Sequence, residues 1–461
     1  MKQLLITIIM ILPLLTMAQE DKGAISSQML TNMHKNYVNS NSTGTENAIR
    51  HNNLKDLAKS RYTNGSSDTY FSNRVKSSGV TNQKSSGRCW LFTGLNVLRP
   101  VVMENKGMSE FKFSQAYLFF YDQLEKANLF LEGIIATKNE PMDDKRVEWL
   151  IKNPIGDGGQ WTGLVDLVDK YGAVPDDVMP ESYQANNTSK MSRLLTLRLR
   201  EDALQIRKMA TDKKSDTDIA KAKEQMLNDV YRILALSLGE PTQEFEWRYK
   251  DKDGNITELK KYTPMSFYKE FVGLDLSEYV MLMNDPTRPY NALYEIDYDR
   301  HRYDGHNWKY INLEADKIKE FAKASILDNK AMYFSCDVGK QYDGKNGYLD
   351  MANYDYASLV GVEFGMDKIQ RIKTFSSGSS HGMTLVAVDM DKDGKINKWL
   401  LENSWGQRGY KGHLIMSDEW FSEYMFRLVI NKKYIDKKTL KILEKKATFL
   451  PPWDPMFSQE L

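Results

Sequence analysis

Two cysteines occur in the 461 residues. The first stands in Thr81-Asn82-Gln83-Lys84-Ser85-Ser86-Gly87-Arg88-Cys89-Trp90. There a Gly-containing loop gives way to the apolar, helix-patterned run from Trp90 to Leu98. A thiol at a helix N-terminus lies in the positive end of the helix dipole, which stabilises the nucleophilic thiolate. Gln83, six residues earlier, carries an amide donor that the loop can bring back beside the sulfur. Two readings are open on this stretch. Cys89 is a catalytic nucleophile with Gln83 as oxyanion donor, or it is a buried thiol acting as a small apolar residue. Taken alone the second is the commoner outcome, so a base and a group to orient it must come from elsewhere.

Both are found far along the chain. Ser380-His381-Gly382-Met383-Thr384-Leu385-Val386-Ala387-Val388-Asp389 puts a histidine at the head of an apolar strand. Asp389-Met390-Asp391-Lys392-Asp393-Gly394 turns the chain, and Lys398-Trp399-Leu400-Leu401-Glu402-Asn403-Ser404-Trp405-Gly406 returns. The pattern predicts a β-hairpin, with His381 and Asn403 on paired strands. The turn resembles the start of an EF-hand loop, but the twelfth residue from Asp389 is Leu400 rather than Glu, and the flanks read as strands. Thiolate attack on an amide needs a base, a group that fixes its tautomer, oxyanion donors and protection from water. Cys89 offers the nucleophile, His381 the base and Asn403 the orienting carbonyl. Trp405 can shield that bond, and Gln83 with the Cys89 N–H can form the oxyanion hole. The reaction calls for no cofactor and no metal.

The intervening sequence must position these groups. Ser114 reads as the N-cap of a nearly all-apolar, hence buried, helix through Gln115-Ala116-Tyr117-Leu118-Phe119-Phe120. Asp157-Gly158-Gly159-Gln160-Trp161 precedes another helical segment, Leu164 to Tyr171. Its glycines allow either the close approach of an extended substrate or a plain tight turn. From 188 to about 235 the chain is charged and helix-patterned, with Leu194, Leu195, Leu197 and Leu199 early and Val230, Ile233, Leu234 and Leu236 late. This predicts a helical insertion with a large solvated face. Lys250–Asn255 reads as a hairpin turn, and Thr263-Pro264 starts a further helix. From about 290 strands and aromatics dominate, including a buried strand in Ala331–Gly339 where Cys336 is structural.

Hydrophobic residues make up 41% and charged residues 27%, which describes an ordinary globular protein. Lys+Arg (63) and Asp+Glu (62) nearly cancel, so no overall basic field calls for nucleic acid. Two cysteines exclude a disulfide framework, and none of the six histidines falls in an H-E-x-x-H pattern. Residues 1–18 carry one lysine, a short apolar run broken by Pro13, and small residues before an expected cleavage after Ala18. They read as a secretory signal peptide, so export to a periplasm or the medium is expected, without stable membrane insertion afterwards. The expected organisation is then an N-terminal extension wrapping a core (19–80), a helical lobe with the nucleophile (81–187) and a mainly helical insertion (188–300). A β-rich lobe with His381 and Asn403 (301–436) and a C-terminal helix and docking tail (437–461) follow.

The motif set Gln-(five residues)-Cys-Trp, His-Gly-Met and Glu-Asn-Ser-Trp-Gly resembles the papain-like cysteine peptidases. Asn82–Trp90, Phe113–Phe120, Asp157–Trp161, Thr263-Pro264-Met265 and Trp453-Asp454-Pro455-Met456 resemble more narrowly their bleomycin hydrolase / aminopeptidase C branch. The resemblance implies an α+β, papain-like two-lobe fold, a helical lobe plus a β-barrel-like lobe, with a helical insertion. It implies a cysteine-type aminopeptidase acting on peptides, with a C-terminal tail closing the cleft and the Leu461 carboxylate meeting the substrate's α-ammonium. It also implies a homo-oligomer, a hexamer in relatives. Alternatives are an endopeptidase that the tail does not restrict and an inactive scaffold. Three features depart from the pattern. Ser86 replaces the disulfide cysteine of many secreted papain-like enzymes, as in this branch; a leader precedes the chain; and Phe457-Ser458-Gln459-Glu460-Leu461 is bulkier than the branch's small-residue tails.

Overall fold

The structure, a computed structural model, describes residues 23–40, 43–61 and 68–457. Residues 1–18, read from the sequence as a signal peptide, and Leu461 therefore lie outside the described residues. The described chain forms two units. The smaller takes residues up to Lys59 together with Asp355–Val362. Its helices are Ser27–Ser40, Thr43–His51, Leu54–Ala58 and Tyr356–Val360. The Asn53 side chain caps the third by accepting from the Lys55 and Asp56 N–H groups. Residues 60–80, expected to continue this extension, belong to the larger unit, where Asn73–Arg74 pairs with the strand through Val388.

The larger unit holds the chemistry. Helix α1 (Cys89–Lys106) is buried on all sides from Trp90 to Pro100, because it threads between other helices and a sheet. Helix α2 (Gln115–Ala136) starts where the sequence predicts, with Ser114 Oγ accepting from the Tyr117 N–H at 3.1 Å. Helix α3 (Trp161–Tyr171) reaches α1 at Gly94, where a Cβ would stand 2.4 Å from Leu164 Cδ2. Only glycine permits that approach. The insertion forms two long helices, α4 (Ser189–Thr211) and α5 (Asp216–Leu238), the latter opened by a Ser215–Asp218 capping box. Leu195 and Leu199 of α4 and Val230 and Leu234 of α5 are buried, whereas Leu194, Leu197 and Leu236 are exposed. A four-residue recurrence turns one stripe inward, and the leucines between those positions fall on the solvated face.

The sheet has 12 strands among the described residues. Its central run places Tyr279–Met283 beside β4 (Met425–Asn431), then β1 (Met332–Cys336), β2 (His381–Met390), β3 (Ile396–Glu402) and His413–Ser417. The strand region thus begins before residue 290, within the segment read as mainly helical, because Tyr-Val-Met-Leu-Met is a short apolar run with no helical period. Strands β2 and β3 form the predicted hairpin, Thr384 facing Glu402, with Gly394 in the turn at φ +79°. The C-terminal helix is shorter than expected, Lys437–Leu440 followed by a 3₁₀ turn. A strand, Thr448–Leu450, then pairs with Ala292–Ile296 and leads the tail inward. No described helix is long and apolar enough to cross a membrane.

One ion pair joins the helical layer to the hairpin. Arg99 Nη2 of α1 lies 2.6 Å from Glu402 Oε2 at the end of β3, with both side chains 3% exposed or less. Arg99 also donates to Asn96 Oδ1 and Ser77 Oγ. Removing one partner leaves the other charge buried alone, at a cost of about 3–5 kcal/mol, whereas replacing both by apolar groups costs far less. Arg99→Ala and Glu402→Ala should each lower the unfolding free energy read from urea titration by that amount, and the double substitution by much less than the sum. Strict additivity in this double-mutant cycle would show that the two charges do not act as a pair.

Candidate active site

The loop before α1 is held from both sides. Asn82 Oδ1 accepts from the Lys84 N–H at 2.9 Å, and Lys84 takes φ +54°. Gln83 Nε2 donates to Ser86 O at 2.7 Å, and Ser86 Oγ returns a bond to Gln83 O at 2.6 Å. Arg88, fully buried at the N-cap position, makes a bidentate pair with Glu181 at 2.9 and 2.7 Å. Its guanidinium lies 5.2 Å from the centroids of both Phe92 and Phe119. Asp157 accepts from the Gly87 N–H, Thr188 Oγ1 and Ser192 Oγ, while its carbonyl accepts from Trp90 Nε1 at 2.8 Å. The geometry around Cys89 is therefore set by two side chains, Arg88 and Asp157, to which the sequence reading gave no role. A charged residue directly before the cysteine was the available signal for Arg88.

Cys89 opens α1 and is half-buried. Burial pushes its thiol pKa up, against the N–H groups of Gly382, Trp90 and Cys89 itself and the nearby Arg427 cation, which favour the thiolate. His381 heads β2, and its Nε2 stands 2.8 Å from Asn403 Oδ1. That oxygen also accepts from the Ser404 N–H at 2.7 Å. The atom is thus an acceptor, Nε2 carries the hydrogen, and Nδ1 is the lone-pair nitrogen of the neutral ring. Burial lowers the His381 pKa to about 4, and the Asn403 bond partly opposes this. The Trp405 ring stacks on the imidazole, centroids 4.6 Å apart and planes 25° from parallel.

The loop and the hairpin meet through Gln83. Its backbone N–H donates to Ser404 O at 2.9 Å, and its side-chain oxygen accepts from Ser404 Oγ at 2.6 Å. Gln83 Oε1 is thereby fixed as the acceptor, and one hydrogen of Nε2 remains beyond the Ser86 bond. Gln83, Cys89, Gly158, Gly159 and His381 all line one cavity of about 800 Å³. Asn403 sits behind His381, fully buried. A Cβ on Gly159 would stand 2.2 Å from His301 Cε1 and 2.8 Å from Trp90 Cε2. The missing side chain at 159 thus makes room for the protein's own rings. His301 is in turn held by Asp122, Nδ1 to Oδ1 2.5 Å. The other cysteine, Cys336, is buried on β1 with its thiol pKa well above the ordinary value.

The tail reaches the same cavity. Asp454 pairs with Arg288, and Met456 and Phe457 are buried. Phe457, the last described residue, packs edge-on against Trp308 at 5.3 Å and lines the cavity with Cys89.

A family model described as Peptidase C1-like family matches residues 24–457. Rat bleomycin hydrolase is 40% identical over 416 residues, 87% of this chain and 91% of that protein. Aminopeptidase C of Listeria monocytogenes is 38% identical, covering 90% of this chain and 94% of that protein. The crystal structure of pepw from Lactobacillus rhamnosis superposes with a TM-score of 0.91 at 36% identity, over 94% of this chain and 99% of that one. With its cysteine at the head of a buried helix and its histidine on a hairpin strand, the chain belongs to the Peptidase C1-like family of cysteine peptidases, in the branch of bleomycin hydrolase and aminopeptidase C.

Proposed function

We propose that the protein is a cysteine aminopeptidase that removes residues from free peptide N-termini through Cys89, His381 and Asn403. The Cys89 sulfur attacks the scissile carbonyl carbon, and the thiol proton passes to His381 Nδ1. The oxyanion that develops is met by the Cys89 N–H and the remaining hydrogen of Gln83 Nε2, reinforced by the dipole of α1. His381 returns the proton to the leaving amine as the C–N bond breaks, leaving a thioester. Water then attacks the thioester, giving one proton to His381, and Cys89 leaves with it as the thiol. Asn403 holds the Nε2 hydrogen throughout, so Nδ1 is the atom that takes and returns the proton, and Trp405 covers the Nε2 bond.

The seating of Phe457 in the cavity that Cys89 lines carries the exopeptidase reading. Four residues follow it in the sequence, about 13 Å of chain if extended, and this reading gives the Leu461 carboxylate the task of meeting a substrate's α-ammonium. The peptide main chain would run past Gly158 and Gly159. The names of the relatives, aminopeptidase C among them, agree with this reading.

Two predictions follow from these roles. A free α-ammonium paired with a carboxylate in the cleft makes N-acetylated peptides poorer substrates by at least about thirtyfold. Removing residues 458–461 should abolish that discrimination. Equal cleavage of free and acetylated peptides by the intact protein would identify an endopeptidase instead. The second concerns pH. His381 accepts a second proton on the Cys–His pair only near pH 4, below its ordinary 6.5, because burial disfavours the imidazolium. Burial also raises the thiol, so the pair keeps a single proton from about 4 upward through neutrality, whichever atom bears it. The acid limb of kcat/KM, corrected for folded fraction, should fall near pH 4, and a limb at the ordinary imidazole value would contradict the assignment.

A further inference from the structure

Residues 156–159, past which the proposed enzyme runs the substrate main chain, form no helix or strand of their own. One turn of α2 holds them. Asp122 is fully buried on that turn, and both of its oxygens are engaged. Oδ1 pairs with His301 Nδ1, while Oδ2 meets Lys126 Nζ at 2.9 Å and Gln123 Nε2 at 3.0 Å. The same Lys126 Nζ reaches Gly156 O at 3.0 Å and Gly158 O at 2.5 Å, and Gln123 Nε2 also reaches Gly156 O at 3.0 Å. Burial disfavours the Asp122 carboxylate, but Lys126 and the His301 ring outweigh it and hold its pKa below the ordinary value. The carboxylate is therefore charged at neutral pH, and His301 Nδ1 donates to it.

Shape fixes the other side of the His301 ring. The residue is 4% exposed and meets the ring of Trp90, the neighbour of Cys89, edge-on with centroids 4.7 Å apart. It fills a notch between two glycines, since a Cβ on Gly159, or on Gly163 in the first turn of α3, would overlap the imidazole. For Gly163 the three nearest atoms all belong to that ring. Neither glycine has a positive φ, so both are small for the sake of space. The ring cannot shift toward Gly159 without breaking a buried, charge-assisted bond, and Gly159 cannot sink without displacing the ring.

We propose that Asp122 and His301 are positioning residues for the substrate main chain, fixing Gly158 and Gly159 against Trp90 and so at a set place relative to Cys89. The proposal rests on the peptidase reading, because the chain segment it concerns is the one that meets substrate there. His301 touches none of the reacting atoms. A main-chain edge held this way contributes to binding in ground and transition states alike, so its loss raises KM and spares kcat.

The test measures KM and kcat separately for an unblocked alanine tetrapeptide on the full chain. The rate of Cys89 alkylation by iodoacetamide is a parallel readout that uses no peptide main chain. His301→Ala should raise KM about tenfold, the loss expected when one or two main-chain hydrogen bonds are misaligned. It should leave kcat and the alkylation rate within about twofold. Gly163→Ala alone should act in the same way, because its Cβ drives the ring toward Gly159, and it should add nothing to His301→Ala, where the ring is gone. An unchanged KM in the single variants, a loss confined to kcat, an alkylation rate that falls with activity, or strict additivity of the two substitutions would each overturn the proposal. Should His301→Ala fail to fold, His301→Asn, which keeps an N–H for Asp122 but leaves the notch part empty, is read in its place by the same criteria. If the intact protein binds the tetrapeptide without cleaving it, that counts against the peptidase reading alone. The dissociation constant then replaces KM, about tenfold weakening supporting the proposal and equal binding overturning it. A tetrapeptide that neither binds nor is cleaved overturns both.

Discussion

The Cys89 thiol and the His381 imidazole come from two layers of the protein, and the contacts that hold those layers in register are polar and buried. Arg99 reaches from the middle of the helix that Cys89 opens to Glu402, the residue before Asn403. Gln83 reaches from the loop ahead of that helix to Ser404, the residue after it. Asn403 is thus bracketed by two contacts to the element that carries Cys89. Its own oxygen is pinned by the Ser404 N–H while it receives the His381 hydrogen. Any slip between helix and hairpin would strand buried charges and amides, and this cost makes the spacing of thiol and imidazole a property of the fold.

Burial acts on both members of the proposed pair. Desolvation acts against the thiolate at Cys89 and against the imidazolium at His381. Taken singly, each group is pushed toward neutrality. In the proposed mechanism one proton moves from sulfur to Nδ1, and the two charges this creates offset each other's loss of water. The N–H groups around the sulfur and the dipole of the helix it heads favour the same direction.

Much of this was legible in the sequence, for local reasons. Cys89 and His381 each stand where polar, glycine-containing chain meets an apolar run, and the Asp391–Gly394 turn between two apolar stretches announces the hairpin. Ser114 announces its helix by cap chemistry. The groups that were not legible act across long separations. Asp157 gathers Gly87, Trp90, Thr188 and Ser192 around one turn, and His301 fills the space that Gly159 leaves open. Nothing in their local sequence shows what they will meet. Arg427 is intermediate, since a cation inside an apolar strand signals a buried charge without indicating the cavity it lines. In the insertion, eight candidate apolar positions were visible, but only the helical phase decided that Leu195 and Leu199 turn inward while Leu194 and Leu197 do not.

The central claim is that a thiol on the helix and an imidazole on the hairpin work as one unit. Its most direct measurement is the rate of Cys89 alkylation by a neutral haloacetamide at pH 6, mapped by mass spectrometry, in the intact protein and in His381→Ala. The account predicts labelling at Cys89 and not at Cys336, slowed at least about tenfold by the substitution because the imidazole is what makes a thiolate available at that pH. Equal rates in the two proteins would mean that Cys89 reacts as an isolated thiol, and would contradict the account.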